Sequence, residues 1–478
     1  MKRLIISTAV GLLLTACGGG GGAATGVSPT PPIVSTEVNF GTLSLVQPSG
    51  LDQNNTEGDG IFYDVLAVGD VNMDGNDDIL VGLMRTDSNN KSVARTAKPV
   101  LLLFNPASNG YVVSEEFKSV ASNHIWPRQG VIADFDGDGR NDIYIGDTGV
   151  DGLGTNCGYY NSIVLNKTTG MQNMSNSLPR VWDYSHGVIA TDFNKDNKKD
   201  LLVLNSPYLM NQWNNISNCS GYAGQQIRNR SYAIDGATLA EIPLVLAQND
   251  LDASGHPPLN LTDVYSREQH VGTSADLNGD GFPDLIMGGS AQITILESNG
   301  QQSYSTAQRL PIPSIVADTV SKSGCSLYFN QCDFPYSYVT TLDIDGDGTK
   351  EIIASLAYNN AGKWQGQFFQ ALKKVGSTWT DITTQVFPTQ NGLINSSVWC
   401  YKLDAVDLNG DGHLDLVCNN LDPSNSEVFW VWKNNTFVPW TEAPSKNGKR
   451  YTVLRLTTGN YVVSITGSSG VTIIGRKF

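Results

Sequence analysis

Short runs of branched and small apolar residues recur along this chain, set on either side of tight polar knots. Upstream of a knot stand runs such as Val65-Leu66-Ala67-Val68 or Val188-Ile189-Ala190. Downstream stand Ile79-Leu80-Val81-Gly82, Ile143-Tyr144-Ile145-Gly146, Leu201-Leu202-Val203-Leu204, Leu285-Ile286-Met287-Gly288, Ile352-Ile353-Ala354 and Leu416-Val417-Cys418. Runs this short, bounded by a polar turn, predict strands joined as hairpins. No segment sustains a helical period, so the predicted fold class is all-β.

The knots are six copies of one pattern, Asp-x-[Asp/Asn]-x-Asp-[Gly/Asn]-x-x-[Asp/Glu]. They begin at Asp70, Asp134, Asp192, Asp276, Asp343 and Asp407, at spacings of 64, 58, 84, 67 and 64. Self-similarity at such a period marks a repeat architecture. About 440 residues follow an N-terminal tether, and blades of roughly 60 predict a seven-bladed β-propeller of four-stranded antiparallel blades. Six blades carry a knot. The seventh is predicted from Tyr451–Leu456, Tyr461–Thr466 and Val471–Arg476, with Val38–Val46 as its fourth strand, a closure that leaves no open edge. The spacing from 192 to 276 predicts an insertion within 206–262.

Charge sharpens this picture. The chain has 478 residues and a formal net charge of −15, with 46 acids and 31 bases. The six nine-residue knots hold 21 of the acids and 5 of the bases, which leaves 25 acids against 26 bases elsewhere. Negative charge gathered into six points excludes a nucleic-acid binder, which needs clustered Lys and Arg. A 40% hydrophobic content excludes a disordered acidic chain.

Within a knot, side chains at positions 1, 3 and 5 are predicted to converge on one cation, position 7 to offer its carbonyl, and the acid at position 9 to bind through both oxygens. The predicted ligands are Asp70, Asn72, Asp74, Asn76 and Asp78 in blade one, and Asp134, Asp136, Asp138, Arg140 and Asp142 in blade two. Blade three offers Asp192, Asn194, Asp196, Lys198 and Asp200; blade four offers Asp276, Asn278, Asp280, Phe282 and Asp284. Blade five offers Asp343, Asp345, Asp347, Thr349 and Glu351, and blade six Asp407, Asn409, Asp411, His413 and Asp415. Hard oxygen donors in this number suit calcium, up to six ions, over magnesium. An EF-hand is excluded, because its acid at position 12 is replaced by Val81, Ile145, Val203, Met287, Ala354 and Cys418. Glycine at position 6 allows a left-handed turn. Blade three has Asn197 there, with Lys195, Lys198 and Lys199 crowding the loop, so 192–200 is expected to be the weakest site.

The stretch Asp134-Phe-Asp136-Gly-Asp138-Gly139-Arg-Asn-Asp142-Ile-Tyr-Ile-Gly resembles the FG-GAP and VCBS repeats of integrin α-subunit propellers and bacterial surface proteins. Six copies across 50–420 carry the resemblance. It implies a calcium-bearing propeller and no single activity.

Aligning the blades on the first Asp places Asp64, Arg128, His186, His270, Ser337 and Tyr401 six positions upstream. Phe62, Trp126, Tyr184, Glu268, Pro335 and Trp399 stand eight upstream. If the knots share one face, these residues gather at the opposite mouth of the channel, where propellers of this resemblance take ligands. Asp64, Trp126, Arg128, Tyr184, His186, His270, Trp399 and Tyr401 are the candidate ligand-binding set, suited to an anionic or hydroxylated ligand. His124, His256 and His413 are expected at the surface. The leading expectation is a non-catalytic binding module for a glycan or an envelope protein. A polysaccharide lyase using Arg128, His186, His270 and Tyr401 is the alternative, and an envelope scaffold the second; no nucleophile elbow, metalloprotease motif or glycosidase carboxylate pair is present.

The N-terminus adds location. Lys2 and Arg3, the apolar run Leu4–Leu14 and Leu14-Thr15-Ala16-Cys17 read as a signal segment over 1–16. Its ending resembles a bacterial lipobox, which implies lipidation of Cys17, a tether over 17–36, and anchorage of the 37–478 propeller, as a monomer, on the periplasmic or outer side of the outer membrane. The six other cysteines, Cys157, Cys219, Cys325, Cys332, Cys400 and Cys418, are expected to form disulfides. Cys325 with Cys332, Cys400 with Cys418, and Cys157 with Cys219 is one of fifteen possible pairings.

Overall fold

The computed structural model describes residues 37–43, 60–86, 96–149, 158–178, 183–205, 230–235, 238–241, 245–246, 269–289, 293–300, 303–310, 313, 334–360, 363–390, 400–420, 428–440, 450–466 and 471–478, all within the compact unit Ser35–Phe478. Expectations for 1–36, Cys157, Cys219, His256, Glu268, Cys325, Cys332 and Trp399 lie outside these residues, as do those for the side chains of Phe62 and His270.

The chain is an all-β propeller of small sheets. In six blades the first strand runs into the acidic knot: Gly60–Gly69, Pro127–Ala133, Ser185–Thr191, Gln269–Ala275, Tyr336–Leu342 and Cys400–Val406. Each second strand begins on the acid at position 9: Asp78–Thr86, Asp142–Asp147, Asp200–Asn205, Asp284–Gly289, Glu351–Asn360 and Asp415–Asn420. Third and fourth strands follow in antiparallel order. The stretch expected to be an insertion is partly blade: Arg230–Asp235 and Thr238–Glu241 complete blade three, and Val245–Leu246 adds a parallel fifth strand to blade four.

Repeat-built blades number six, not seven. The remaining sheet is composite and carries no acidic loop. Glu37–Leu43 pairs antiparallel with Val471–Lys477, followed by Gly459–Thr466 and Arg450–Leu456. First strands pack on one another in chain order, and Arg450–Leu456 touches the first strands of both blade six and blade one. These strands therefore surround the centre.

The core lies between sheets rather than within one. Ile79 packs toward the composite sheet while Leu80 packs toward blade two. The alternation repeats with Ile143 and Tyr144, Leu201 and Leu202, Leu285 and Ile286, Ile352 and Ile353, and Leu416 and Val417. A strand buried on both faces reads as an unbroken apolar run, which is why the pattern downstream of each knot does not alternate. Close approach accounts for the glycine ending three of these runs. A Cβ on Gly288 would stand 2.7 Å from the Tyr336 Cβ of the next blade.

Two short helices, Glu115–Val120 and Thr383–Val386, are the α-helical segments among the described residues. The first is capped by Ser114, whose Oγ accepts the Phe117 N–H at 3.2 Å. Neither is long enough to cross a membrane. Cys400 and Cys418 form the expected disulfide, joining the first and second strands of blade six with Cα atoms 5.4 Å apart.

Candidate functional site

Each knot folds as a nest of Asx turns. The position-1 Asp accepts the N–H of position 6, as in Gly75 to Asp70 at 2.8 Å and Asn197 to Asp192 at 2.9 Å. Position 5 accepts the N–H of position 7, as in Asn76 to Asp74 at 2.9 Å. The expected left-handed residue at position 6 is present, with φ from 67° at Asn197 to 88° at Gly412. Position 4 is left-handed in all six knots as well, including Met73 at 64° and Lys195 at 59°. Sequence reasoning missed this, although glycine at position 4 in four of the knots signalled it.

The acid at position 9 has a second role: its oxygens pin backbone. Asp78 accepts the Val71 N–H at 2.8 Å on one oxygen and the Phe104 N–H at 2.9 Å on the other. Asp142, Asp284 and Asp415 make the same pair of contacts. In this way each acid ties its loop to the third strand. Burial pushes Asp78, Asp142 and Asp200 up to about 7, and Asp284 and Asp415 up to about 6, with neighbouring loop carboxylates adding to the rise. Burial likewise raises Glu351.

Carboxylate oxygens of Asp134, Asp136 and Asp142, and of Asp343, Asp345 and Asp347, lie within 4.8 Å of one another, all-oxygen groups able to hold a cation. Two of the lysines expected to crowd 192–200 reach neighbouring blades. The Lys195 ammonium lies 3.4 Å from the ring centroid of Phe282 in blade four, and the Lys198 stem lies against Gly137 in blade two. A left-handed Lys195 turns its side chain away from its own loop.

Position 8 supplies a contact that the repeat pattern does not reveal. Asn141 donates to the Asp70 carbonyl at 2.7 Å, and the Lys199 N–H to the Asp134 carbonyl at 3.1 Å, so the loops of blades two and three each lean on the preceding one. Blade one leans on the composite sheet. The Asp77 N–H donates to the Arg455 carbonyl at 2.9 Å, and Thr457 N–H and Oγ1 donate to Asn76 Oδ1 at 2.8 and 2.9 Å.

At the other end of the first strands, the residue six positions before the knot is the extra residue of a β-bulge in five blades: Arg128, His186, His270, Ser337 and Tyr401. A bulge re-aims a side chain. In blade one the bulge falls at Leu66 instead, and Asp64 stays in the regular ladder, buried at 2% exposure. The Tyr401 hydroxyl of blade six donates to the Arg128 carbonyl of blade two at 3.1 Å. The Arg128 guanidinium carbon sits 5.5 Å from the Trp126 ring centroid. These three and His186 are partly exposed. Tyr184 is fully buried, its ring 4.7 Å from that of His186, so it packs rather than faces solvent. Ser337 donates to the Cys400 carbonyl and serves the blade junction. Deeper in, Lys402 pairs with Asp404 at 3.4 Å. Burial opposes the Lys402 charge, yet Asp404 and, further off, Asp64 hold its ammonium above the ordinary lysine range.

His124 is not a surface residue. It is completely buried, with Nδ1 3.0 Å from Asp147 Oδ2 and Nε2 2.7 Å from Ser162 Oγ. Asp147 also accepts the N–H groups of Ile125, Trp126 and Gly149 at 2.8, 2.9 and 2.7 Å. With Ser162 only 2% exposed, the arrangement is a buried brace for the segment leading into Trp126 and Arg128. His413 is exposed, as expected.

Comparisons with known proteins agree with the repeat. A family model described as FG-GAP-like repeat matches residues 276–354 and 343–418. No curated protein sequence matches the chain. Among solved structures, the exotype rhamnogalacturonan lyase YesX is similar at 12% identity and a TM-score of 0.42, over 90% of this chain and 75% of that one. A Bacillus licheniformis rhamnogalacturonan lyase is similar at 14% identity and 0.42, over 91% and 75%. An Agrocybe aegerita lectin that recognises non-reducing terminal N-acetylglucosamine is similar at 14% identity and 0.33, over 79% and 87%. With its acidic knots in register and its small antiparallel sheets, the chain is a β-propeller whose residues 276–418 match FG-GAP-like repeats.

Proposed function

We propose that this chain is a calcium-stabilised binding module. Its propeller has seven blades when the composite sheet is counted, hangs from a lipidated Cys17 at the bacterial outer membrane, and takes a glycan or envelope-protein ligand at the mouth opposite the acidic loops. The observation that carries the reading is the Tyr401–Arg128 hydrogen bond. It joins residues 273 positions apart, from blades two and six, at the end of the first strands where both are bulged. Trp126 beside Arg128 offers an aromatic face next to a cation, a pairing suited to a sugar ring bearing a carboxylate. Calcium is supported by the oxygen-donor loops of blades one, three, four and six and by their buried acids Asp78, Asp200, Asp284 and Asp415, whose protons a divalent ion would replace.

Non-catalytic binding fits these contacts better than a lyase does. Tyr401 and Tyr184, the acid candidates, are committed to the Arg128 carbonyl and to packing. Retention on a panel of acidic polysaccharides, scored with absorbance for unsaturated products, tests the reading. The expected outcome is retention of a uronate-bearing polymer without absorbance gain, weakened at least tenfold by Arg128→Ala. An absorbance gain abolished by His186→Ala would establish the lyase instead. Stoichiometric capture of an envelope protein, with no glycan retained and no dependence on Arg128, would establish a scaffold.

A further inference from the structure

The six knots divide by what sits at position 3. In blades one, three, four and six it is Asn, and its amide donates to the carboxylate at position 5. The four distances are 3.2 Å for Asn72 to Asp74, 3.3 Å for Asn194 to Asp196, 3.1 Å for Asn278 to Asp280 and 2.9 Å for Asn409 to Asp411. In blades two and five position 3 is Asp, which has no such hydrogen to give and adds a negative charge. A lysine of the third strand fills the role in both. Lys167 contacts Asp136, and its ammonium lies 3.4 Å from Asp138. Lys373 places its ammonium 2.5 Å from Asp345, 2.7 Å from Asp347 and 3.0 Å from Glu351.

The two lysines come from different rows. Lys373 lies directly across from Glu351, whereas Lys167 lies two residues further along its strand than the residue across from Asp142. Two different positions have therefore converged on one electrostatic solution. Both lysines are partly buried, at 26% and 21% exposure, and each contacts one buried carboxylate, Asp136 or Glu351, where the attraction is less screened than at an open surface.

We infer that blades two and five are closed by the protein's own ammonium groups, Lys167 and Lys373, in place of a divalent ion. The loops richest in carboxylates are then the ones that do not take up calcium. Lys167 engages two loop carboxylates and Lys373 three, and in each blade these include a member of the carboxylate cluster on which a divalent ion would have to sit. Filling that cluster with calcium would expel the lysine and leave its charge to be compensated elsewhere. This inference rests on the calcium reading above for the other knots. It sets the count at four ions, six loops less two, where the carboxylates alone predict up to six.

Native mass spectrometry of the folded chain titrated with calcium alone, set beside Lys167→Met, Lys373→Met and the double variant, tests it. The wild type is expected to hold four ions, each single variant five and the double variant six. Because a bare carboxylate cluster can hinder folding, the pair Asp136→Asn with Lys167→Met is included. It converts blade two to the pattern of blade one, and is expected to restore in EDTA the melting temperature that Lys167→Met alone lowers. Equal, non-zero ion counts in wild type and lysine variants would overturn the inference and leave the calcium reading standing. No calcium on any variant would overturn both. A Lys167→Met melting temperature unchanged in EDTA would also count against it.

Discussion

Asp78, Asp142 and Asp200 show what a single buried acid does in this repeat. Each begins a second strand, holds backbone N–H groups and is pushed by burial to about 7. An unfolded chain releases the same protons near ~4. Between those values the ion-free fold holds more protons than the unfolded chain, so its stability falls as pH rises and levels off above about 7. Urea midpoints in EDTA are therefore expected to be higher at pH 5 than at pH 7.5. With calcium the order is expected to reverse, since the ion binds the deprotonated acids of the loops that take it up, Asp78 and Asp200 among them. A midpoint in EDTA that rises with pH would contradict this role.

At the scale of the element, the junction between sheets carries the stability. Gly288→Ala is expected to cost about 1–3 kcal/mol, because the new methyl meets the Cβ of Tyr336 and a Val339 methyl rather than a flexible chain end. Denaturant unfolding reads the loss; an unchanged midpoint would show that the two blades can separate freely. Much of this level was legible in the sequence. Asp-rich turns flanked by apolar runs fixed where the hairpins lie, and symmetric placement about the knot identified Cys400 with Cys418. Other features were not. Bulges at Arg128 and Tyr401 depend on pairing with a second strand, and nothing in either residue's neighbours announces them. His124 looked isolated because its partners, Asp147 and Ser162, are 23 and 38 residues away. Lys167 and Lys373 sit on third strands, far in sequence from the acidic loops they contact.

The whole molecule is a set of sheets tied twice. One tie is apolar, the cores between neighbouring sheets; the other is polar, the acidic loops of blades one to three leaning on one another and on Thr457. On the proposed reading the acidic loops depend on cations, calcium in four of them and lysine ammonium groups in two, to neutralise carboxylates that would otherwise repel. The bulged ends of the first strands and the acidic loops lie at opposite ends of the same strands, so ions in the loops would hold the frame without touching a ligand at the proposed mouth. A variant such as Arg128→Ala should thus lose ligand with its calcium response intact.

Thermal unfolding in millimolar calcium and in excess EDTA, at fixed ionic strength, tests the central claim most directly. At a thousandfold excess over its dissociation constant an ion adds about 4 kcal/mol per site. The account predicts a melting temperature clearly higher in calcium than in EDTA, with a smaller gain once Asp74 and Asp411 are both changed to Ala. Equal melting temperatures in calcium and EDTA would contradict it.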